Sequence, residues 1–526
     1  MTYIPSMPEN SEESIKLLHW FEDHNCSNYK AARICGVHEK TVRRWKARAH
    51  KILKGSKPIS SGEIKPFTHK SKRLSGKRYL FTSAQNNTDI HEDFYKSLLN
   101  FCKHKNAELI IGKFTYNQNG FQNLTKEDDG LWYHPDVLKH DRSERLTICD
   151  DLEWCGEANI LPTAVNPLSG YDGYTKQSSG IFPHTKIMMK SLATLKHEDA
   201  KMLYTTGTIT KRNYIAKKAG QKADFDHCFG ALYVEIDSDG DWFARQIRAD
   251  DDGSFYDLTE LFAPDGVSGG HEVEAINWGD IHVEKLDGVI SEGAWYGKDS
   301  MLNTLKPRHQ FLHDVSDFEP RNHHNINDPH FLARQHFNGI NNVESALKLV
   351  SNFIKSVERP YCKTVIVDSN HDAALLKWLS TACVKRDPEN ARFYHEASAE
   401  VYKAIENNEK FNVFEWVLKR HNDLDNAIFL ETDEIYRICG NIECSQHGHR
   451  GANGARGNPR SYVGYKANTG HTHSAGIISG VYTAGVSGSL DMGYNQGMSA
   501  WSHSHILTYK NGKRAIITMR KGKWHA

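Results

Sequence analysis

At 526 residues, 39% hydrophobic and 25% charged, the chain is long enough for two to four domains with separate cores. No early apolar run resembles a signal peptide and no stretch approaches the roughly 18 apolar residues of a membrane span, so a cytoplasmic protein without membrane partners is expected. Ten cysteines are scattered without a C-x-x-C pair, which points to reduced thiols rather than a zinc ribbon or disulfide framework. The net charge of +1 conceals an asymmetry: sixteen Lys or Arg between Lys30 and Arg78 face only Glu39 and Glu63, and Lys510 to Ala526 adds six basic residues and no acid. Basic blocks on a neutral chain predict a polyanion partner, a solvated linker being the bland alternative.

In chain order, residues 11–24 read as a capped helix, with Ser11 as cap, Glu12 and Glu13 in the first turn, and Ile15 and Leu18 at helical spacing. A second short helix carrying Tyr29, Ala32 and Ile34 follows Ser27, Gly36 breaks it, and a third starts at His38. Ala31-Ala32-x-x-x-Gly36-Val37 followed by Thr41-Val42-x-x-Trp45 resembles the helix-turn-helix of phage and transposase DNA-binding domains. The resemblance implies that Val37, Val42 and Trp45 fill a small core while Thr41, Arg43, Arg44, Lys46 and Arg48 face phosphates or base edges. A basic helical module that binds protein is the alternative. Residues 1–52 would form this module, and residues 53–77, rich in Gly, Ser, Pro and Lys, a tethering linker.

Residues 78–270 read as a further α/β region with no assignable chemistry. Arg78 to Ala84, a helix over Asn87 to Lys105 and a strand over Ala107 to Gly112 make a β-α-β unit, hence part of a parallel sheet. Residues 116–200 offer turns and short apolar runs only. Tyr204 to Ile209, Ala231 to Ile236 and Trp242 to Ile247 read as strands. Asp237-Ser238-Asp239-Gly240-Asp241 superficially suggests calcium, but it lacks an EF-hand's downstream Glu and flanking helices and reads as a hairpin turn.

From His271 onward the pattern is more legible. Glu274 to Trp278, Gln310 to His313, Lys363 to Asp368 and Ile442 to Gln446 read as strands, with helices over Val343 to Val357 and Ala373 to Ala382. Polar residues follow each strand: Asp280 and His282, then Asp314 and Asp317, Asn370 and His371, and His447. In α/β folds ligand groups gather at the carboxyl ends of strands, so four strand ends deliver metal-type side chains to one edge. Gly470-His471-Thr472-His473 completes a mixed oxygen and imidazole set suited to two divalent ions. Such a pair can share a hydroxide, lower its pKa and clamp phosphoryl oxygens during in-line attack. A bridging residue must be a carboxylate, Asn370 would supply a neutral oxygen, and a histidine beside a ligand can protonate the departing oxygen.

The order D-x-H, D-x-x-D, N-H-D, H-G, G-H-x-H resembles the calcineurin-like metallophosphoesterases over residues 272–480. The resemblance implies a four-layer α/β/β/α sandwich over residues 271–526. It implies Asp280, His282, Asp314 and His473 on one ion, and Asn370, His447, His471 and the shared Asp314 on the other. His371 would be the catalytic histidine and Asp317 its orienting partner. His313 and Ser369 stand where the family has Gly, which leaves the ligands but alters the local turns. Arg321, Arg450, His323 and His324 are candidate substrate contacts, His503 and His505 alternate as strand residues, and Ser474 to Gly497 holds glycines that would let backbone pass near substrate. The tail, His505 to Lys523, reads as two strands joined by a type I′ turn at Asn511-Gly512.

The helix-turn-helix and the basic block select among phosphoesterases a metal-dependent DNA nuclease, similar to the SbcD type and to a tailed-phage protein that degrades DNA. Manganese is favoured by the mixed ligands, DNA is the expected partner, and a homo-oligomer is compatible with the sequence. The alternatives are a phosphatase or nucleotide phosphodiesterase whose helical module docks a partner, and a binding protein with a vestigial site.

Overall fold

Ala275, Phe311 and Val365 point one way from their strands and Ile276, Leu312 and Ile366 the other, so the sheet carrying them is apolar on both faces. That sheet has six strands in the order Ala427–Phe429, Lys363–Ile366, His309–Leu312, Val273–Asn277, Ser504–Tyr509 and Arg514–Thr518. The first four are mutually parallel and the last two antiparallel. Helices Val343–Val357, Ala374–Thr381, Ala391–Glu406 and Val413–His421 cover one face through Leu347, Ile354, Trp378, Phe393 and Val417. The other face meets Ile438, Ile442 and Cys444 of a second, eleven-stranded sheet. The computed structural model describes residues 17–19, 27–35, 37–53, 72–116, 131–196, 198–322, 325–450 and 464–526. It divides into two compact units, Met1–Lys70 and Ser71–Ala526.

The eleven-stranded sheet threads together strands from Lys72–Arg73 through Lys201–Thr205 and strands from Arg437–Ile438 through Val481–Thr483. Residues 78–270 and 271–526 therefore interleave, and no compact boundary falls between them. Within residues 116–200 the sequence showed no alternation because strands such as Ser179–Phe182 are buried at every position. The expected β-α-β unit is present: Arg78–Gln85 pairs in parallel with Glu108–Phe114 across helix Glu92–Lys105. Its sheet is mixed, because Gly230–Ile236 pairs antiparallel to Arg78–Gln85. The helix starts five residues later than read, where the His91 ring accepts from the Phe94 N–H.

Two readings of the tail are corrected. Five of its six basic residues meet acids or carbonyls of this chain, and Lys510 lies over the Tyr256 ring. Lys523 Nζ lies 2.7 Å from both Asp237 and Asp239, Lys521 lies 2.9 Å from Asp241, and Arg520 pairs with Asp199. Arg514 is buried, donating to the carbonyls of Ala467 and Gly480. The acidic turn at 237–241 joins antiparallel strands with Trp242 opposite Ile236, as read, and its carboxylates pair with Lys521 and Lys523. The Asn511-Gly512 turn is not type I′, since only Gly512 there has positive φ (75°). Gly512 N–H donates to Tyr509 O and Tyr509 N–H to Lys513 O, a type I turn closed by a glycine bulge. No described helix is long and apolar enough to cross a membrane, and every described cysteine is a free thiol.

Candidate metal centre

Gly279 carries the chain off strand Val273–Asn277 against the segment that follows the last motif. A β-carbon there would lie 2.7 Å from the Val486 nitrogen. Asp280 N–H donates to Gly485 O and Asp280 O accepts from Ser487 N–H, which fixes the first ligand on two sides. Asp314 and Asn370 leave the ends of the neighbouring strands His309–Leu312 and Lys363–Ile366. His447 and His471 leave Ile442–Glu443 and Lys466–Thr469, parallel neighbours in the other sheet. The ligand edge is thus shared by two facing sheets, which the strand-by-strand reading did not distinguish.

Among the described residues, Asp280, His282, Asp314 and His473 form one group and Asp314, His447 and His471 a second, each with its ligand atoms within 4.8 Å of one another. Two further groups overlap them, Asp280 with His313 and His447, and His282 with Asp317 and His371. In the first, Asp280 Oδ2 lies 3.1 Å from His473 Nε2, and His282 Nε2 lies 3.2 Å from the same nitrogen and 3.9 Å from Asp314 Oδ2. In the second, Asp314 Oδ2 lies 3.1 Å from His447 Nε2, with His471 alongside. Asp314 belongs to both. The Asn370 Oδ1 is buried without a hydrogen-bond partner, an atom that a cation would satisfy. Carboxylate, amide and imidazole donors turned toward one another in this way fit a pair of divalent ions. Burial opposes charge on His282 and His447, but it is outweighed at His282 by hydrogen bonding to Asp317 with the charge of Asp314, and at His447 by the charge of Asp314 and Asp280 with a hydrogen bond to Asp314, so each imidazole is held up at about 9. Burial would raise the Asp314 carboxyl, yet His447, His371 and His282 around it keep it well below the usual carboxylate range.

Four of these ligands hold left-handed backbone: His282 (φ 48°), Asp314 (43°), His471 (74°) and His473 (58°). Non-glycine residues adopt this region at a cost, and such clusters mark places where geometry is imposed by the surroundings. Gly470 shows the crowding, because a β-carbon on it would collide with Asp280 Oδ1. Gly470→Ala is expected to push that carboxylate aside and to weaken Mn²⁺ binding about 10- to 100-fold, read by titration calorimetry. Unchanged affinity would mean that the Asp280 carboxylate has no part in holding metal.

Asp317 divides its attention differently from the sequence reading. Its carboxylate lies 3.3 Å from His282 Nδ1 and 3.7 Å from His371 Nδ1, while its main-chain carbonyl lies 3.1 Å from His371 Nδ1. It therefore orients a ligand histidine at least as closely as the catalytic candidate. Two further carboxylates escaped notice. Glu284 accepts from Ser316 Oγ and from the N–H groups of Asp317 and Phe318. Asp372 accepts from Ser316 N–H and Ser369 Oγ. Together they clamp the loop after Asp314, and burial, with Asp317 or Asp314 nearby, raises each to about 7. Asp372 closes the N-H-D motif and Glu284 stands two residues after the D-x-H motif, so their position was the available signal. His313, read as a simple departure, is fully buried beside His447, with neither ring nitrogen hydrogen-bonded.

Other candidates disperse. Arg321 is held by both oxygens of Asp387 and Arg450 pairs with Asp368, so neither is poised to grip phosphate. His323 and His324 lie outside the described residues. His503 meets Gly488 O, and His505 accepts from Gly279 N–H, structural roles as read. In the N-terminal unit, helices Asn28–Cys35 and Glu39–Leu53 enclose Ala31, Ala32, Val42 and Trp45, with Leu17, Leu18 and the half-buried Val37. Thr41, Arg43 and Arg44 are exposed and Lys46 half-buried, and Arg43 pairs with Glu39 at 2.6 Å. Arg48 lies on the second helix, its side chain outside the described residues, as are residues 54–71 of the expected linker.

Compared with curated proteins, the chain is 41% identical to Protein A1 of Escherichia phage T5 over 532 aligned positions, spanning 98% of this chain and 93% of that one. No protein-family model matches it, and no solved structure does.

Proposed function

The chain belongs to the family of Protein A1 of Escherichia phage T5, and from that premise we propose that it is a metal-dependent DNA nuclease acting in the cytoplasm of the infected host. Its helix, sheet and facing sheet are read as layers of the calcineurin-like metallophosphoesterase sandwich. One observation carries the proposal: ligand-type side chains separated by almost two hundred residues meet in two groups joined through Asp314.

Asp280, His282, Asp314 and His473 would hold one divalent ion, and Asn370, His447, His471 and Asp314 the other, with Mn²⁺ favoured by the donor mixture. When bound, such ions acidify a water and neutralise phosphoryl charge. The remaining work falls to the protein. The His371 main-chain N–H donates to Asp314 Oδ1 at 3.3 Å, which ties the catalytic candidate to the shared ligand. Its Nδ1 faces the Asp317 carbonyl, which orients the ring that would exchange a proton with the departing oxygen. Asp317 meanwhile holds His282 with Nε2 turned toward the ligands.

DNA is preferred as substrate because the N-terminal unit pairs a small helical core with exposed Thr41, Arg43 and Arg44. The test is cleavage of linear and circular duplex by the full chain after chelation and re-addition of Mn²⁺, Mg²⁺, Ca²⁺ or Zn²⁺. Cleavage restored by Mn²⁺ is expected. Brisk phosphomonoester turnover with inert DNA would instead select the phosphatase reading. Replacing Arg43, Arg44 and Lys46 by Ala is expected to flatten the salt dependence of DNA binding, the logarithmic slope falling by about 0.9 for each phosphate that is no longer neutralised.

A further inference from the structure

The segment after the last motif reaches back over the ligand edge. Ser487 N–H donates to Asp280 O and Ser502 N–H to His473 O, while Ser499 exchanges main-chain hydrogen bonds with Thr194. Between these anchors the chain carries two half-buried aromatic residues, Tyr494 and Trp501. The Trp501 ring lies 4.2 Å from that of His473, inclined at 71°, and Tyr494 stands 6.1 Å from Trp501 at 65°. Burial, with the charge of Asp317, Asp314 and Asp280, pushes the phenol up, and its hydroxyl donates to Met492 Sδ at 3.0 Å. Met498, on the same segment, is 63% exposed. Neither aromatic is needed by the chemistry described above, and the segment sets them beside a ligand histidine rather than in a core cluster.

We propose that Trp501 and Tyr494 form a stacking platform for an unpaired nucleobase next to the scissile phosphate, so that the substrate is a nucleic-acid strand opened at its cleavage point. In a nucleotide chain the base is the flat group nearest each phosphate, and every base presents a π-face, so stacking needs no particular sequence. A phosphoserine or phosphothreonine side chain brings no ring to this position. The platform would therefore separate nucleic-acid from protein phosphoesters without any base-edge contact. This rests on the phosphodiesterase reading given above.

The test is binding of a fluorescent oligothymidylate against an equally long strand with the same backbone and no bases, measured on the full chain in EDTA so that nothing is cleaved. Because the backbones are identical, phosphate contacts, including those of the basic N-terminal residues, cancel in the ratio of affinities. Wild-type protein is expected to prefer the base-bearing strand by about 5- to 150-fold. Trp501→Ala and Trp501→Leu are expected to bring the ratio close to one and Trp501→Phe to keep most of it, with Tyr494→Ala lowering it and Tyr494→Phe not. Leucine restores apolar bulk without a ring, so the outcome stands even if the alanine variant folds poorly. Equal binding of the two strands by wild type, or a ratio preserved in Trp501→Leu, overturns the platform. Failure of the nuclease reading would show separately, as DNA left intact with every divalent ion while the binding ratio is judged alone.

Discussion

Asp314→Asn is expected to lower Mn²⁺-dependent DNA cleavage by about three orders of magnitude and to reduce the metal retained per chain. The carboxylate is the group shared by the two ligand sets, so its neutral counterpart weakens both. Asparagine is the informative replacement because it shares the shape and tolerates left-handed backbone, the conformation found at this position (φ 43°). The backbone trace should persist while the charge disappears. Losing several kcal/mol of charge stabilisation in the transition state corresponds to roughly a thousandfold in rate. Metal content by mass spectrometry and cleavage of linear duplex check the two halves. A variant that keeps both wild-type metal and wild-type rate would end the two-ion proposal.

His371→Ala is expected to slow DNA cleavage by about 10²- to 10⁴-fold, the range for removing a general acid. The informative comparison is with a p-nitrophenyl phosphodiester, whose leaving group departs without a proton and should lose far less. Equal losses on both substrates would indicate that His371 matters through its main-chain bond to Asp314 and its packing, and would remove it from proton transfer. Metal content should stay near wild type, since His371 is placed here as proton donor and not among the ligands of either ion.

Much of the centre was legible because its residues announce themselves locally. Asp280, Asp314 and Asn370 each follow an apolar run ending in a polar loop, and the ends of parallel strands share an edge by construction. Which strands lie side by side was less legible. Ile442–Glu443 and Lys466–Thr469 look like any short strands; they pair with each other and with near neighbours in sequence, and among the described strands only Gly476–Ile478, pairing with Met189–Leu192, joins them to the rest of the eleven-stranded sheet. The same limit hid the tail. Lys521 and Lys523 counted as free basic charge until the turn at 237–241 supplied their partners. It also hid Glu284 and Asp372, whose work is to receive main-chain N–H groups from another loop. Trp501 and Tyr494 carried no signal, since an aromatic residue in a glycine-rich stretch reads as core until its neighbours are known.

The position of the last two strands bears on how the protein is made. Strand Val273–Asn277, which leads to the first ligand, is flanked on one side by Ser504–Tyr509, and the Gly279 N–H that starts the ligand turn donates to His505. During synthesis the first motif leaves the ribosome more than two hundred residues before these partners exist. Domains fold as units while the chain emerges, but this one lacks a neighbour on one side of its leading strand until more than two hundred further residues have been made. Chains stopped before Ser504 would carry the motifs without the strand and the His505 contact that set the turn at Gly279.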